Sequence, residues 1–338
     1  MTETVLVTGG SGFVAGWCIV ELLQRGYSVR TTVRSPAKEA AVRQAVDAGD
    51  RLTVVVADLM DDAGWDAAVA GCDYVLHVAS PLGGDQRAGA DALIGPARDG
   101  TLRVLRAATR AGVKRVVMTS STAAATPATV RADNTSDETV WTDLADASTN
   151  AYRRSKVIAE RAAWDYMAEH AGTTTLTTIL PVAVFGPLLS AGNSGSLELI
   201  QRLLDGRPPV LPRFGFTIVD VRDLADLHVR AMTSPAAAGE RFIGGGDFMW
   251  QAEMAQTLRS KLGGRASKVP TRGVPDFVVR LLARFVPALR TLTPLLGREL
   301  IFSSAKARRV LGFSPRPAVT TIVDSAVSLT SGAPIPER

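Results

Sequence analysis

Short apolar segments alternate with segments of helical periodicity through the first half of the chain. The apolar runs, rich in Val and Thr, have the length of buried strands and span 5–8, 28–34, 52–57, 74–78 and 115–120. Helical spacing fills 13–25, 36–48 and 90–110, and glycines follow several of these segments as helix stops. Because parallel neighbouring strands need crossover connections, the alternation predicts an α/β fold built on a doubly wound parallel sheet.

The rest of the chain predicts a smaller part that alternates with this sheet. A helix is expected over 151–170 and a strand ending at Pro181, both within a first domain of 1–185. After Pro187 the pattern loosens into stretches rich in glycine and proline, which are typical of loops around a binding cleft. We expect a discontinuous lobe over 186–214 and 248–338 that binds a substrate, with 215–247 returning to the main domain.

The segment 275–292 has an apolar face of helical spacing. Its arginines lie elsewhere on the segment, and Pro287 is expected to break or kink the helix. A helix packed in the lobe or in a dimer is favoured over one that lies on a membrane surface. The apolar face comprises Phe277, Leu281, Phe285, Leu289 and Leu292.

The composition narrows the function classes. With 338 residues, 46% of them hydrophobic, the chain can bury a large core. The 38 basic and 33 acidic residues are interspersed, so nucleic-acid binding has little support. Cys18 and Cys72 are the only cysteines and the histidines form no cluster in the sequence, which argues against a disulfide framework and a metal site. No apolar stretch reaches the roughly 18 residues of a membrane span, and we expect a soluble, cytoplasmic protein.

A glycine-rich turn follows the first predicted strand and opens an apolar helix. A helix N-terminus offers unpaired N–H groups and a positive dipole end, which suit a pyrophosphate where no side chain blocks the approach. The glycines and Ala15 fit both G-x-G-x-x-A and G-x-x-G-x-x-A, so spacing alone leaves the type of loop open. The alternative is a tight turn without a ligand, but the strand before it and the helix after it favour a dinucleotide-binding Rossmann domain. We expect the cofactor to contact Gly9, Ser11, Gly12, Phe13 and Val14.

Arg34 stands at the end of the second predicted strand, where NAD-binding sheets usually carry an acidic residue for the ribose 2′-hydroxyl. An acid would repel a 2′-phosphate, whereas a guanidinium can pair with it, and Lys38 adds a second positive charge nearby. The alternative is that both are solvated surface charges. The pattern predicts NADP(H) as the cofactor.

Tyr152 and Lys156 lie four positions apart in the run NAYRRSK. This spacing places both side chains on one face of the predicted helix. Reduction of a carbonyl needs an acid beside the oxygen, and a nearby ammonium favours the phenolate that a tyrosine leaves when it donates its proton. An ordinary exposed pair is the alternative, but the context predicts a proton donor and its lysine.

Hydroxyl side chains follow the strand 115–120 at the expected carboxyl edge of the sheet, where ligands bind in such folds. One of these hydroxyls could polarise a carbonyl group. We choose Ser121, with Ser120 and Thr122 as neighbours that a shift of one residue would select instead. Such strand ends are also common in loops without function.

The motifs TGGSGFVA, VRTTVRSPAK, HVASP, KRVVMTSST, YRRSK and VDVRDLADLH resemble, in this order, those of the extended short-chain dehydrogenase/reductase family. The resemblance extends from the first strand to about Asp247. VRTTVRSPAK, HVASP and Ala15 look most like the branch of dihydroflavonol, cinnamoyl-CoA and yeast methylglyoxal reductases. That branch implies reduction of aldehydes and ketones with NADPH.

The same resemblance implies roles for individual residues. It implies a catalytic triad of Ser121, Tyr152 and Lys156, in which Tyr152 donates the proton. It also implies further cofactor contacts: Asp58 and Leu59 beside the adenine, Val78, Ala79 and Ser80 near the ribose and phosphates, and Pro181, Val182 and Val184 along the nicotinamide.

The leading hypothesis is an NADPH-dependent carbonyl reductase for a mostly apolar aldehyde or ketone, acting as a monomer or homodimer. Apolar walls are expected from Leu82, Phe185, Leu188, Leu189 and the loop 208–212. One alternative is a nucleotide-sugar epimerase or dehydratase, which shares the triad but usually holds NAD tightly. The other is a cofactor-binding sensor without catalysis, a class that often loses the tyrosine or the lysine.

Overall fold

Strands and helices alternate along the chain. A computed structural model describes residues 2–81, 91–128, 135–146, 149–190, 195–290 and 292–331. The strands are β1 (Thr4–Val7), β2 (Ser28–Val33), β3 (Leu52–Val56), β4 (Tyr74–His77), β5 (Arg115–Thr119), β6 (Thr135–Ser136), β7 (Thr175–Pro181), β8 (Ala183–Phe185), β9 (Leu211–Pro212), β10 (Gly215–Asp220), β11 (Arg241–Gly244), β12 (Phe248–Trp250), β13 (Gly273–Val274) and β14 (Ile301–Phe302). The α-helices are α1 (Phe13–Gln24), α2 (Glu39–Val46), α3 (Trp65–Val69), α4 (Asp91–Ala111), α5 (Ala151–His170), α6 (Leu197–Leu204), α7 (Val221–Thr233), α8 (Gln251–Leu262), α9 (Asp276–Leu282), α10 (Pro287–Arg290), α11 (Ala305–Leu311) and α12 (Ala318–Ser331).

The main sheet is parallel. In the part of the chain that the structure describes, seven strands form it in the order β11-β7-β5-β4-β1-β2-β3. Every neighbouring pair runs parallel. The predicted strands of the first half agree with β1 to β5 to within one residue at each end. The predicted α/β class and doubly wound sheet are therefore confirmed.

Both faces of this sheet are covered, and β1 shows how. Val5 and Val7 belong to an apolar cluster with residues of α1 and α7, whereas Leu6 belongs to a second cluster with residues of α3, α4 and α5. Successive strand residues point to opposite faces, so a strand with two buried faces must be apolar throughout. For this reason the strands of the main sheet appear in the sequence as continuous apolar runs.

A second sheet lies beside the first one and corrects the expectation for 215–220. We expected this strand to return to the main sheet. Instead β10 pairs parallel with β8 and antiparallel with β12. The chain returns to the main sheet only after β10. Helix α7 packs in the same apolar cluster as α1, and β11 pairs with β7 at the edge of the main sheet.

The glycine- and proline-rich stretch after Pro187 is also more ordered than the expected loops. It contains α6, whose Leu197, Ile200, Leu203 and Leu204 are buried. A third apolar cluster joins Leu203 to Phe185, Ile218 and Met254. We therefore propose the division of the chain into a dinucleotide-binding domain and a lobe, with β8 and β10 assigned to the core of the lobe.

Most of the apolar face expected over 275–292 is exposed in the described part of the chain. The segment forms two short helices, α9 and α10, and Phe277 and Phe285 are 71% and 77% exposed. Val279 and Ala283 are buried instead. Pro287 starts the second helix, as expected from its missing N–H, so one continuous face cannot form. The predicted packing in the lobe is therefore wrong for Phe277, Leu281 and Phe285, whereas Leu289 and Leu292 are half-buried. The alternative packing in a dimer stays a prediction.

None of the helices in the described residues is both long and apolar enough to cross a membrane. No group of three or more His, Cys, Asp or Glu side chains in the same ranges is arranged to hold a metal ion.

Candidate active site

The candidate site lies where the main strands end. Because the strands are parallel, the loops that follow β1, β2, β4 and β5 all leave the same edge of the sheet. These loops carry the glycine turn, Arg34, Ser80 and Ser121. The fold therefore brings together residues that are far apart in the sequence.

The glycine turn packs closely between the ends of β2 and β4. Gly9 has a positive φ of 76°, and a Cβ there would lie 2.9 Å from the Cβ of Ala79. A Cβ on Gly10 would overlap the Thr31 hydroxyl. The Gly9 N–H donates to Thr32 Oγ1 at 2.9 Å. Glycine is required here by close packing against the ends of β2 and β4.

The helix that follows this turn presents an open N-terminus. Gly12 is the N-cap of α1 and offers no side-chain cap. Gly12 O accepts the N–H of Gly16, so the N–H groups of Phe13 and Val14, one turn earlier, have no intrahelical acceptor. With Ser11 on the turn itself, these groups form a binding surface for an anion, and they include the residues predicted to contact the pyrophosphate.

A hydrogen-bonded histidine, which sequence reasoning considered only as a metal ligand, connects this turn to β4. Thr8 Oγ1 accepts the N–H of Ala79 at 2.9 Å and lies 3.0 Å from His77 Nδ1. His77 Nε2 lies 3.4 Å from Thr101 Oγ1. Burial, with a smaller effect from the Lys156 charge, lowers the pKa of His77 to about 3. The ring is therefore neutral and holds the Val78–Ser80 segment against the glycine turn. The motif HVASP, which contains this histidine, was the sequence signal from which its position at the site could have been predicted.

Arg34 and Lys38 are both exposed just beyond β2. Neither side chain has a hydrogen bond or an ion pair with any residue that the structure describes. The turn 36–38 between them starts at Ser35, whose hydroxyl accepts the Ala37 N–H. Both cations remain available to a phosphate group.

Asp58 and Leu59 follow β3 and already have structural contacts. Asp58 Oδ1 accepts the Met60 N–H at 3.0 Å, and its carbonyl accepts the indole N–H of Trp65. The side chain of Leu59 packs so close to Gly100 that a Cβ there would lie 2.8 Å away. Their position at the strand end fits the implied adenine contact, and their fold contacts hold them there.

The predicted catalytic side chains meet at the start of α5. The Tyr152 hydroxyl lies 3.5 Å from Ser121 Oγ, at the outer limit of a hydrogen bond. Lys156 Nζ lies 5.9 Å from the centroid of the Tyr152 ring and donates to Ser80 Oγ at 3.1 Å. Tyr152 is 40% exposed and Lys156 only 7%. The phenol therefore faces an open space, with the ammonium beneath it.

Local contacts fix both ends of this arrangement. Asn150 caps α5 by accepting the Arg153 N–H at 2.9 Å, so the helix begins one residue before Tyr152. Ser121 Oγ accepts the Ala123 N–H, and the Thr122 hydroxyl donates to the carbonyl of Pro181. The Ser121 turn is thus joined to the end of β7, which is Pro181. Val182 and Val184 follow this strand.

The predicted apolar walls have mixed outcomes. Phe185 is buried in the core of the lobe, so it cannot line a cleft. Leu189 packs against α1, where a Cβ on Gly16 would lie 3.1 Å from it. Trp17 donates its indole N–H to the carbonyl of Pro187 and holds this segment beside the glycine turn. Leu82 lies outside the described residues.

Comparison with known proteins identifies the family. The profile of the NAD dependent epimerase/dehydratase family matches residues 5–244, which include β1 to β11 and every residue of the site. The chain belongs to this family. The predicted membership of the extended short-chain dehydrogenase/reductase family is thereby confirmed.

Similar sequences of this family are named reductases. A putative anthocyanidin reductase of Ginkgo biloba is 37% identical over 72% of this chain and 75% of its own length. Cinnamoyl-CoA reductase 1 of Petunia hybrida is 38% identical over 70% of this chain and 71% of its own. These names confirm the predicted oxidoreductase class and the predicted branch.

Solved structures agree over nearly the whole chain. The yeast methylglyoxal/isovaleraldehyde reductase Gre2, complexed with NADPH, matches with a TM-score of 0.82 and 25% identity, covering 97% of this chain and 98% of that one. Gre2 of Candida albicans in complex with NADPH matches with a TM-score of 0.83 and 27% identity, covering 98% and 99%. The similarity includes the lobe, for which the sequence supplied no motif.

Proposed function

We propose that this family member is an NADPH-dependent carbonyl reductase that acts on a mostly apolar aldehyde or ketone, with Tyr152 as the proton donor. One observation carries the proposal: the hydroxyls of Tyr152 and Ser121 and the ammonium of Lys156 meet beside the open N-terminus of α1. Proton donor and anion site therefore share one edge of the sheet.

The residues present fit NADPH. The glycine turn leaves the N–H groups at the start of α1 free of side-chain caps, which suits a pyrophosphate. Arg34 and Lys38 would hold a 2′-phosphate, and Ser80 and Lys156 stand near where a ribose would lie. NADPH, when bound, supplies the hydride to the carbonyl carbon. The Gre2 structures of yeast and Candida albicans are themselves NADPH complexes.

The protein's own groups would provide the proton and hold the substrate oxygen. When the carbonyl carbon receives hydride, its oxygen becomes an alkoxide that must take a proton. The Tyr152 hydroxyl would donate it, while the Ser121 hydroxyl donates a hydrogen bond to the same oxygen. The Lys156 ammonium, 5.9 Å from the centroid of the Tyr152 ring, would offset the negative charge left on the phenol oxygen.

The segment that enters the lobe supports an apolar substrate. Pro187 is buried and Leu188 and Leu189 are half-buried where this segment passes α1. The segment 185–190 carries no charged side chain, whereas a sugar diphosphate would need cations. The relatives reported above are named as reductases of anthocyanidin, of cinnamoyl-CoA and of methylglyoxal or isovaleraldehyde.

The test compares two tyrosines of the same helix. Tyr152→Phe is expected to lower kcat by about 10²- to 10⁴-fold, because it removes the general acid, with NADPH affinity nearly unchanged. Tyr166→Phe is the matched control, since that hydroxyl lies 2.8 Å from Thr109 Oγ1, away from the site. Turnover is measured as NADPH oxidation with aldehydes, keto esters, cyclic ketones and imines.

Four results would contradict the proposed function, each in a different way. Full turnover by Tyr152→Phe would remove Tyr152 from the mechanism. Loss of NADPH binding in that variant would assign the residue a structural role. Tight NADPH binding by the unaltered protein without turnover of any carbonyl would favour a sensor. Epimerisation with retained NAD would favour the nucleotide-sugar enzymes.

A further inference from the structure

A carboxylate lies directly beneath the candidate site. Glu160 is fully buried on α5, four residues after Lys156 and eight after Tyr152, so all three lie along one side of the helix. Removing a carboxylate from water is unfavourable unless the group is paired and hydrogen-bonded. Such a group is retained in a core only where its partners are well arranged.

Both carboxylate oxygens of Glu160 have partners from other elements. Arg241 of β11 donates Nε–H to Oε1 at 2.8 Å and a second N–H to Oε2 at 3.3 Å. The Thr178 hydroxyl of β7 donates to Oε1 at 2.8 Å. The Ser120 hydroxyl donates to Oε2 at 2.6 Å. The carboxylate therefore joins α5 to the middle of β7, to the start of β11 and to the residue that follows β5.

Arg241 extends this connection to the segment that follows β6. It donates to the carbonyl oxygens of Glu138 and Val140, and its guanidinium lies 3.7 Å from the centroid of the Trp141 ring. The Glu138 carboxylate in turn accepts the N–H of Ile243. The guanidinium is thus hydrogen-bonded on both sides and held in one orientation.

We propose that Glu160 is a positioning residue that determines which serine of the pair Ser120–Ser121 faces the substrate. A serine hydroxyl has one proton, and that of Ser120 is donated to Glu160. Successive residues of an extended chain point in opposite directions, so holding Ser120 inward turns Ser121 outward, toward the Tyr152 hydroxyl. The same contact sets the separation between α5 and the Ser121 turn. This inference rests on the function proposed above.

The test uses two hydroxyls that contact the same carboxylate. Ser120→Ala and Thr178→Val each remove one hydrogen bond to Glu160 from a buried side chain. Similar losses in thermal unfolding temperature are expected. Only Ser120→Ala is expected to lower kcat, by about ten- to a hundredfold, because only it releases the residue beside Ser121. NADPH affinity, measured by fluorescence titration, should stay the same in both variants, since the glycine turn is untouched.

The outcomes separate this inference from the function on which it rests. If both variants keep wild-type kcat, or both lose it equally, Glu160 serves stability alone and the positioning role is overturned. Tyr152→Phe is measured in the same series. If that variant is inactive while Ser120→Ala matches Thr178→Val, only the positioning role fails. If Tyr152→Phe stays active, the proposed function itself fails.

Discussion

At the scale of single residues, Arg34 is the side chain to which we assign the preference for NADPH. The arginines on the two neighbouring helices have partners: Arg25 pairs with Glu21 and Arg43 with Glu39. Arg34 has no such partner in the described ranges and extends from the end of β2 into solvent. The fold does not need its charge, which leaves the guanidinium free for a ligand.

We expect Arg34→Glu to raise the Kd for NADPH by at least tenfold and to change that for NADH much less. The substitution removes a charge-assisted contact with the 2′-phosphate and adds repulsion. Arg309→Glu is the matched control, because Arg309 is exposed on α11, which packs near the opposite edge of the sheet. Binding is measured by titration of both cofactors. Parallel weakening of NADPH and NADH would count against the assigned role.

At the scale of single elements, α9 shows how an amphipathic pattern can mislead. Its large apolar residues face solvent, and the smaller Val279 and Ala283 face the lobe. A helix buries the face that meets the rest of the chain, and the neighbours decide which face that is. The exposed Phe277 and Phe285 are the side chains at which association with a second copy of the chain can be tested.

Phe277→Ser is expected to change the free energy of unfolding by less than about 0.5 kcal/mol, because the ring is already exposed. Val279→Ser, on the buried face of the same helix, should cost about 1 to 3 kcal/mol, since it creates a void and buries a hydroxyl. Urea denaturation measures both. A large cost for Phe277→Ser that depends on protein concentration would instead show that this face packs against another copy.

At the scale of the whole molecule, two buried neutral histidines tie stability to pH. His228 Nδ1–H donates to the carbonyl of Leu224, and its Nε2 accepts the Thr119 hydroxyl at 2.8 Å. Burial lowers the pKa of His228 to about 4 and, with the Lys156 charge, that of His77 to about 3. Below pH 6.5 the unfolded chain takes up these protons before the folded one does, so acid favours unfolding.

The contribution of each histidine to the free energy of unfolding is therefore complete above pH 6.5. It decreases as the pH falls toward the pKa of the histidine in the folded protein. Between these two values, each ring is expected to change the free energy of unfolding by about 1.4 kcal/mol per pH unit. Guanidinium denaturation between pH 7.5 and 4.5 measures it. His228→Gln should reduce the slope by about that amount, whatever its effect on stability at neutral pH. Replacement of the exposed His170 is the control, and an unchanged slope in His228→Gln would refute the assignment.

The sequence alone determined the features that depend on neighbours along the chain. Apolar runs and helical spacing located β1 to β5 and α5 to within a residue, because a buried strand or helix shows its period in a short window. The glycine turn and the Tyr152–Lys156 pair were readable for the same reason. Each is a local geometry that needs particular residues at particular spacings.

The tertiary structure decided everything that depends on distant partners. Glu160 and Arg241 are 81 positions apart, Thr8 and His77 are 69 apart, and no local pattern connects them. Sequence reasoning chose Ser121 with Ser120 as a neighbour, and only the fold shows that Ser120 donates to Glu160 while Ser121 lies beside the Tyr152 hydroxyl. It also placed β10 in the wrong sheet, because an apolar strand carries no mark of the strand with which it will pair. Pairing and burial are set by the surfaces that meet in space, and those exist only once the chain has folded.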